Sequence, residues 1–220
     1  MTTLETRPRR GVTLAETGRE FWRHPSPWLI AAVLVGSTVA RVAVGDWRWS
    51  DLLAPLVFVA LFPVLEWLIH VFVLHWRPRR VGALTLDTLL ARKHREHHAD
   101  PRDIPLVFIP WQTMTVLAVV VPVLPLLVFP RPGQALAFSM TVGLAGLVYE
   151  WTHYLIHSDY RPRSRAYRAI HRHHRLHHFK NENYWLTVTT ANTADRLLGT
   201  APDPATVPTS PTAKNLHGIG

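Results

Sequence analysis

The chain has 220 residues, a formal net charge of +9 and no cysteine. That length suits one sizeable domain or a small membrane bundle, and the missing thiols exclude disulfides, cysteine-ligated metals or clusters and cysteine nucleophiles. The positive charge alone would suit nucleic acid, but the apolar residues stand in long blocks rather than amphipathic stripes.

Residues 1–27 carry Arg7, Arg9, Arg10, Arg19 and Arg23 and have no apolar core. They predict a cytoplasmic leader rather than a cleavable signal peptide, with Phe21 and Trp22 marking a candidate interfacial helix. Four apolar runs follow, at residues 28–44, 52 to about 68, 106–129 and 135 to about 154. Each approaches the roughly 20 residues that a helix needs to cross hydrocarbon, and Arg41 near the end of the first is placed to snorkel. The segment after the second run holds Arg77, Arg79, Arg80, Arg92, Lys93, Arg95 and Arg102, whereas the short connections hold only Arg48 and Arg131. By the positive-inside rule both termini and the middle loop face the cytoplasm, at the plasma membrane if the source is bacterial. After residue 200 the stretch APDPATVPTSPTAKNLHGIG predicts a disordered tail in which His217 is a bystander. The organisation expected is a leader (1–27), a membrane domain (28–200) and a tail (201–220). The fold class expected is all-α, an integral membrane bundle of four transmembrane helices with a cytoplasmic helical cap.

The histidines fall in four clusters: HVFVLH (His70, His75), HREHH (His94, His97, His98), HYLIH (His153, His157) and HRHHRLHH (His171, His173, His174, His177, His178). On a helix, residues three and four apart share a face, so His153 with His157, His94 with His97 and His98, and His174 with His177 and His178 each form a chelating face. His70 and His75 are about 140° apart on an ideal helix, so the helix is expected to end, loosen or bulge there. EWLIH and EWTHYLIH each close an apolar run and each precede an HxxHH segment by about twenty residues. Each half therefore offers a pair and a triplet, five imidazoles per half.

Between the clusters, residues 105–151 are long enough for two crossings around the FPRPG turn, which returns the chain to the side it left. Five histidines and two arginines within HRHHRLHHFK (residues 171–180) would repel as cations, but neutral imidazoles on a divalent metal share that crowding with the ion. Metal binding needs the deprotonated ring, which neighbouring arginines favour. His171 and His173 fall outside the HxxHH spacing. They and the carboxylates Glu66 and Glu150, each within a turn of a candidate ligand, are candidates to orient an imidazole from behind.

With these residues in place, the chain resembles the fatty acid hydroxylase/sterol desaturase superfamily of integral-membrane, histidine-rich dimetal enzymes. The similarity runs from about residue 66 to residue 200 and includes the closing D-x-x-x-G-T of TADRLLGT. It implies His70, His75, His94, His97, His98, His153, His157, His174, His177 and His178 as ligands to two iron ions, a site that zinc can also occupy. It further implies an oxidoreductase, a di-iron monooxygenase that uses O2 to hydroxylate a C–H bond of a lipid, a fatty acyl chain first and a sterol- or carotenoid-type substrate, hydroxylated or desaturated, next. The chain departs from the family at NYWLTV (residues 183–188), where glycines are common, and lacks the cytochrome-like N-terminal domain of many fatty acid 2-hydroxylases. No glycine-rich dinucleotide fingerprint is present, so a separate electron donor or reductase is expected as partner. The rival readings are a histidine-rich membrane metal transporter or storage protein, which predicts ionisable residues through the span centres, and a soluble nucleic-acid-binding protein, which the apolar runs contradict. No nucleic acid is expected as a partner.

Overall fold

The structure is a computed structural model that describes residues 12–218; residues 1–11 of the leader and 219–220 of the tail lie outside the described residues. Helix α1 (Leu14–Phe21) starts at a capping box in which the Thr13 hydroxyl accepts from Glu16 N while the Glu16 carboxylate accepts from Thr13 N. Its last residue, Phe21, is buried against Phe108, Trp151 and Tyr154, so the candidate interfacial helix is docked on the bundle by its aromatic end.

The bundle is built from α2 (Pro25–Val44), α3 (Leu53–Ile69), α6 (Trp111–Val128) and α7 (Pro132–His157). Prolines at the first positions of α2 and α7 suit the start of a helix, where a backbone N–H has no partner to lose. Three stretches are long and apolar enough to cross a membrane: Pro25–Val44, Trp49–Leu74 and Ile104–Val128. Their outward faces carry exposed Val35, Val39, Leu56, Val59, Val119 and Leu127, an apolar surface that only lipid can cover at this extent. These features make the chain an integral membrane protein.

Against the four spans expected, α7 is the long helix that falls outside this set. Gly143, Gly146, Ser139 and Thr141 take the place of aliphatic residues along it, and its end is polar from Glu150 to His157. The small residues serve packing instead: a Cβ on Gly143 would lie 3.1 Å from the Leu34 backbone, so α2 and α7 touch there almost backbone to backbone.

Three further expectations are corrected. Arg41 does not snorkel: it is 1% exposed and pairs with Asp51 at 2.8 Å, because the 3₁₀ turn Trp49–Leu52 folds back over the end of α2. Arg131, from the α6–α7 turn, joins the same carboxylate and also reaches Asp46. The fold is mostly helical rather than purely so, since β1 (Arg79–Val81) and β2 (Leu84–Leu86) form an antiparallel hairpin turning at Gly82, whose φ is 61°. Residues 201–218 have little regular structure but are packed: Ala213 and Leu216 are buried, Ser210 N donates to Lys180 O at 2.7 Å, and the Glu182 carboxylate accepts from the Ser210 and Thr212 hydroxyls. A proline- and threonine-rich composition lowers the drive to form helix or strand, yet it does not prevent anchoring by such polar contacts.

Asp51→Ala leaves the buried Arg41 without a counter-ion and Arg131 with Asp46 alone. It is expected to destabilise the detergent-solubilised protein by about 3 kcal/mol, read as a lower melting temperature; a melting curve matching the parent's would show that the network contributes nothing.

Candidate metal centre

Four elements present the histidines. Helix α3 ends in a π-helical turn, His70–Leu74, in which His75 N donates to His70 O at 2.9 Å. This i to i+5 turn brings His70 and His75, five residues apart, to one site, the distortion their spacing demands. Helix α4 (Leu89–Ala99) starts at Thr88, whose hydroxyl accepts from Ala91 N, and carries His94, His97 and His98 on its buried face. The end of α7 carries His153 and His157. Helix α8 (Arg165–Phe179), capped by the Ser164 hydroxyl accepting from Tyr167 N, turns His174, His177 and His178 inward.

All ten rings converge, in two groups. One holds His70, His75, His94, His98 and His177, the other His97, His153, His157, His174 and His178, and within each group the ligand atoms lie within 4.8 Å of one another. The two groups do not coincide with the two halves of the chain. Each half of the chain lends one ring to the other: His177 joins the first half's group and His97 the second's.

The hydrogen bonds behind the rings fix which nitrogen points inward. His98 Nδ1 donates to Ala213 O, His153 Nδ1 to Val107 O and His177 Nδ1 to Tyr184 O, each at 2.9 Å. His70 and His157 have backbone acceptors at Leu186 and Pro101. A neutral ring with its proton on Nδ1 has only a lone pair on Nε2. Yet His98 Nε2 and His177 Nε2 approach to 3.1 Å, a contact that neither ring can bridge with a proton. Other inward nitrogens, among them His75 Nε2, His97 Nε2 and His153 Nε2, are buried with no partner at all. Protonation does not relieve this. Burial first, and the neighbouring imidazoles next, hold His94, His97, His174 and His178 well below the usual histidine range, and burial pushes His177 down to about 4. A pair of cations between converging lone pairs satisfies every one of these atoms, and an all-imidazole donor set suits iron or zinc.

The supporting residues differ from those the sequence suggested. Neither Glu66 nor Glu150 meets an imidazole. Glu66 accepts from Val188 N at 2.6 Å, Thr189 N at 2.9 Å and the Thr189 hydroxyl at 2.8 Å. It clamps the loop whose Tyr184 carbonyl orients His177. Glu150 accepts from Ile109 N at 3.0 Å, two residues from the Val107 carbonyl that orients His153. Both act one step behind the ring, through backbone. His171 and His173 belong to neither group; His171 is half-buried beside Tyr167. His217 is no bystander, since its Nε2 donates to His75 O at 2.9 Å. Asp195 of the closing motif accepts from Trp67 Nε1 at 3.1 Å and from the Thr200 hydroxyl at 3.0 Å, tying this segment to α3. The carbonyls of Val107, Tyr184 and Ala213 carry no residue-type signal and were not readable in advance. A narrow cleft of about 40 Å³ reaches His94 of one group and His153 of the other between walls that include Leu74, Leu106, Ile109 and Tyr149.

Residues 55–200 match the sequence model of a family described as fatty acid hydroxylase. A dihydroceramide fatty acyl 2-hydroxylase of Arabidopsis thaliana is 27% identical over 183 residues, covering 83% of this chain and 73% of the relative. No solved structure matches the chain.

The exchange of rings between halves is open to a direct test by elemental analysis of purified variants. His75→Ala with His177→Ala damages one group and is expected to leave about one ion per chain, whereas His157→Ala with His177→Ala damages both and is expected to leave close to none. Equal metal loss in the two double variants would contradict the partition.

Proposed function

The chain belongs to the fatty acid hydroxylase family, within the fatty acid hydroxylase/sterol desaturase superfamily, and from that premise we propose that it is a membrane-bound di-iron oxygenase hydroxylating a lipid acyl chain. The reaction balances as RH + O2 + 2 e⁻ + 2 H⁺ → ROH + H2O. The observation that carries the reading is the convergence of two five-histidine groups whose inward nitrogens are buried lone pairs. Hydrolysis with zinc needs three protein ligands and an open position, so ten histidines exceed what it requires. Iron bound by the ten histidines supplies the redox capacity to activate dioxygen toward an unactivated C–H bond.

The protein's own residues do the rest. The Ala213, Val107 and Tyr184 carbonyls hold protons at Nδ1 of His98, His153 and His177 and so keep their Nε2 lone pairs inward. Burial keeps water away from the site, and the narrow cleft beside His94 and His153 marks where a substrate chain approaches both groups. The Arabidopsis relative acts on the acyl chain of dihydroceramide, which favours an acyl chain over a sterol- or carotenoid-type ring here.

In this reading α7 is the fourth crossing, buried among the three apolar spans and therefore free to carry small residues. Both termini and the metal centre face the cytoplasm by the distribution of arginine and lysine. Residues 28–200 form the membrane domain, with residues 12–27 and 201–218 packed on it. A separate one-electron donor supplies the reducing equivalents. A metal transporter would place ionisable groups through the span centres, whereas Arg41, Glu66 and Glu150 stand near helix ends.

Comparative lipid mass spectrometry of cells with and without the gene is expected to show a lipid that gains one oxygen atom, and the purified protein is expected to hold about two metal ions. His157→Ala and His178→Ala are each expected to abolish the product and lower metal content. An unchanged lipid profile together with metal flux in vesicles would favour transport instead.

A further inference from the structure

Helix α8 has a second face that the metal centre does not use. Arg165, Arg168, Arg172 and Arg175 follow one another at alternating steps of three and four residues and end at Phe179. At 100° per residue they share one narrow stripe, on the side of the helix away from His174, His177 and His178. All four arginines are exposed, and none forms an ion pair among the described residues. No acidic residue occurs between Asp159 and Glu182.

This arrangement is unfavourable for the helix itself. Like charges three and four apart repel, and Arg165 and Arg168 lie at the helix N-terminus, where the backbone dipole disfavours cations and where the first turn has no acidic residue. No ion pair among the described residues offsets that cost. At the end of the stripe, Phe179 is 40% exposed, with the Arg175 guanidinium 5.0 Å and the Lys214 ammonium 5.4 Å from its ring. His171, Arg172, Arg175, Leu176 and Phe179 line a shallow groove of about 380 Å³. Arginines around a partly exposed aromatic ring are the composition of a protein interface core.

We infer that this stripe is the docking face for an acidic one-electron carrier protein, an inference that rests on the oxygenase reading and identifies the donor by its surface chemistry. The histidine face of α8 meets His153 and His157 at the end of α7 and His70 at the end of α3, so the arginine face lies on the side away from the membrane helices. That direction favours a soluble partner over lipid headgroups. It also places the carrier one helix diameter, about 10 Å, from the ligands. The carrier delivers one electron at each docking, and two dockings supply the two electrons of the balanced reaction above. Electrostatic steering and a small, quickly released interface suit such repeated encounters.

The test uses the full-length, metal-loaded protein in phosphatidylcholine nanodiscs and two acidic probes, a plant-type [2Fe–2S] ferredoxin and a b-type haem protein. At low ionic strength at least one probe is expected to bind, and added salt to weaken it. Arg165→Glu with Arg168→Glu, two exposed stripe residues away from the ligands, is expected to weaken binding and raise KM for that carrier about tenfold. Metal content and turnover with a neutral small-molecule reductant are expected to stay unchanged, and the paired lysine variants to restore carrier binding. Failure of both probes to bind, unchanged carrier binding in the paired glutamate variant, or an equal fall in turnover with the small-molecule reductant overturns the proposal. So does a variant that loses only its binding to phosphatidylglycerol vesicles, which would assign the stripe to lipid. A parent protein that binds the carrier in this charge-dependent way yet hydroxylates no lipid with any reductant would keep the docking face and remove the oxygenase reading.

Discussion

Converging imidazole lone pairs repel unless a cation stands between them, and in this protein ten imidazoles converge in two buried groups. The rest of the architecture can be understood as what holds the rings in that arrangement. An inward lone pair on Nε2 requires the proton on Nδ1, and at His98, His153 and His177 a carbonyl behind the ring accepts that proton. Those acceptors come from places distant in sequence: Val107 ahead of α6, Tyr184 after α8 and Ala213 in the tail. Because His97 and His177 each stand in the group of the opposite half, metal ions held there would staple α4 to the end of α7 and α8 to the end of α3. Binding free energy at such a site would then also be folding free energy of the cap, since α4 and α8, which carry six of the ten rings, are short and polar.

The other end of the bundle solves its charge problem without metal. Arg41, Asp51 and Arg131 bring together the end of α2, the start of α3 and the α6–α7 turn in one compensated network. A Cβ at Gly133 would sit 3.1 Å from the Asp51 carboxylate, so the start of α7 packs tightly on the network. Between these two fixed ends the helices present aliphatic faces that require nothing more specific than lipid. Specificity is concentrated where backbone and charge must be satisfied, and the middle of the bundle is left to packing.

This division explains what the sequence made legible. The ten converging histidines could be picked out because side chains three and four apart share a helix face, and the π turn at His70–Leu74 could be anticipated because five residues do not fit an ordinary helix face. The apolar runs were legible from length alone. Arg41 misled because snorkelling and burial against a carboxylate look identical until the turn that brings Asp51 back is known. The exchange of His97 and His177 was invisible because either partition satisfies the same local spacing. The hairpin of residues 79–86 and the anchoring of residues 201–218 rest on backbone pairing and polar contacts, which leave little trace in hydropathy. Glu66 and Glu150 were found for the right reason, proximity to ligands, but they act on the chain behind the rings and touch none of them.

The loop after α8 shows how strongly the ring-orienting requirement can override local preference. Trp185 adopts a φ of 56° and is 1% exposed, a backbone region that glycine enters freely and a bulky side chain does not. Its neighbours supply the reason. Tyr184 O accepts from His177 Nδ1 on one side, and Leu186 provides a backbone partner for His70 on the other, so the chain turns at Trp185 and the backbone on either side of it reaches rings from different helices. Burial of the indole and the Glu66 clamp on Val188 and Thr189 hold that turn in place. A glycine would make the same turn with less strain but would fill none of the space beneath the cap. The tryptophan therefore couples the conformation of the loop to the packing under it, and both to the orientation of two rings in the same five-histidine group.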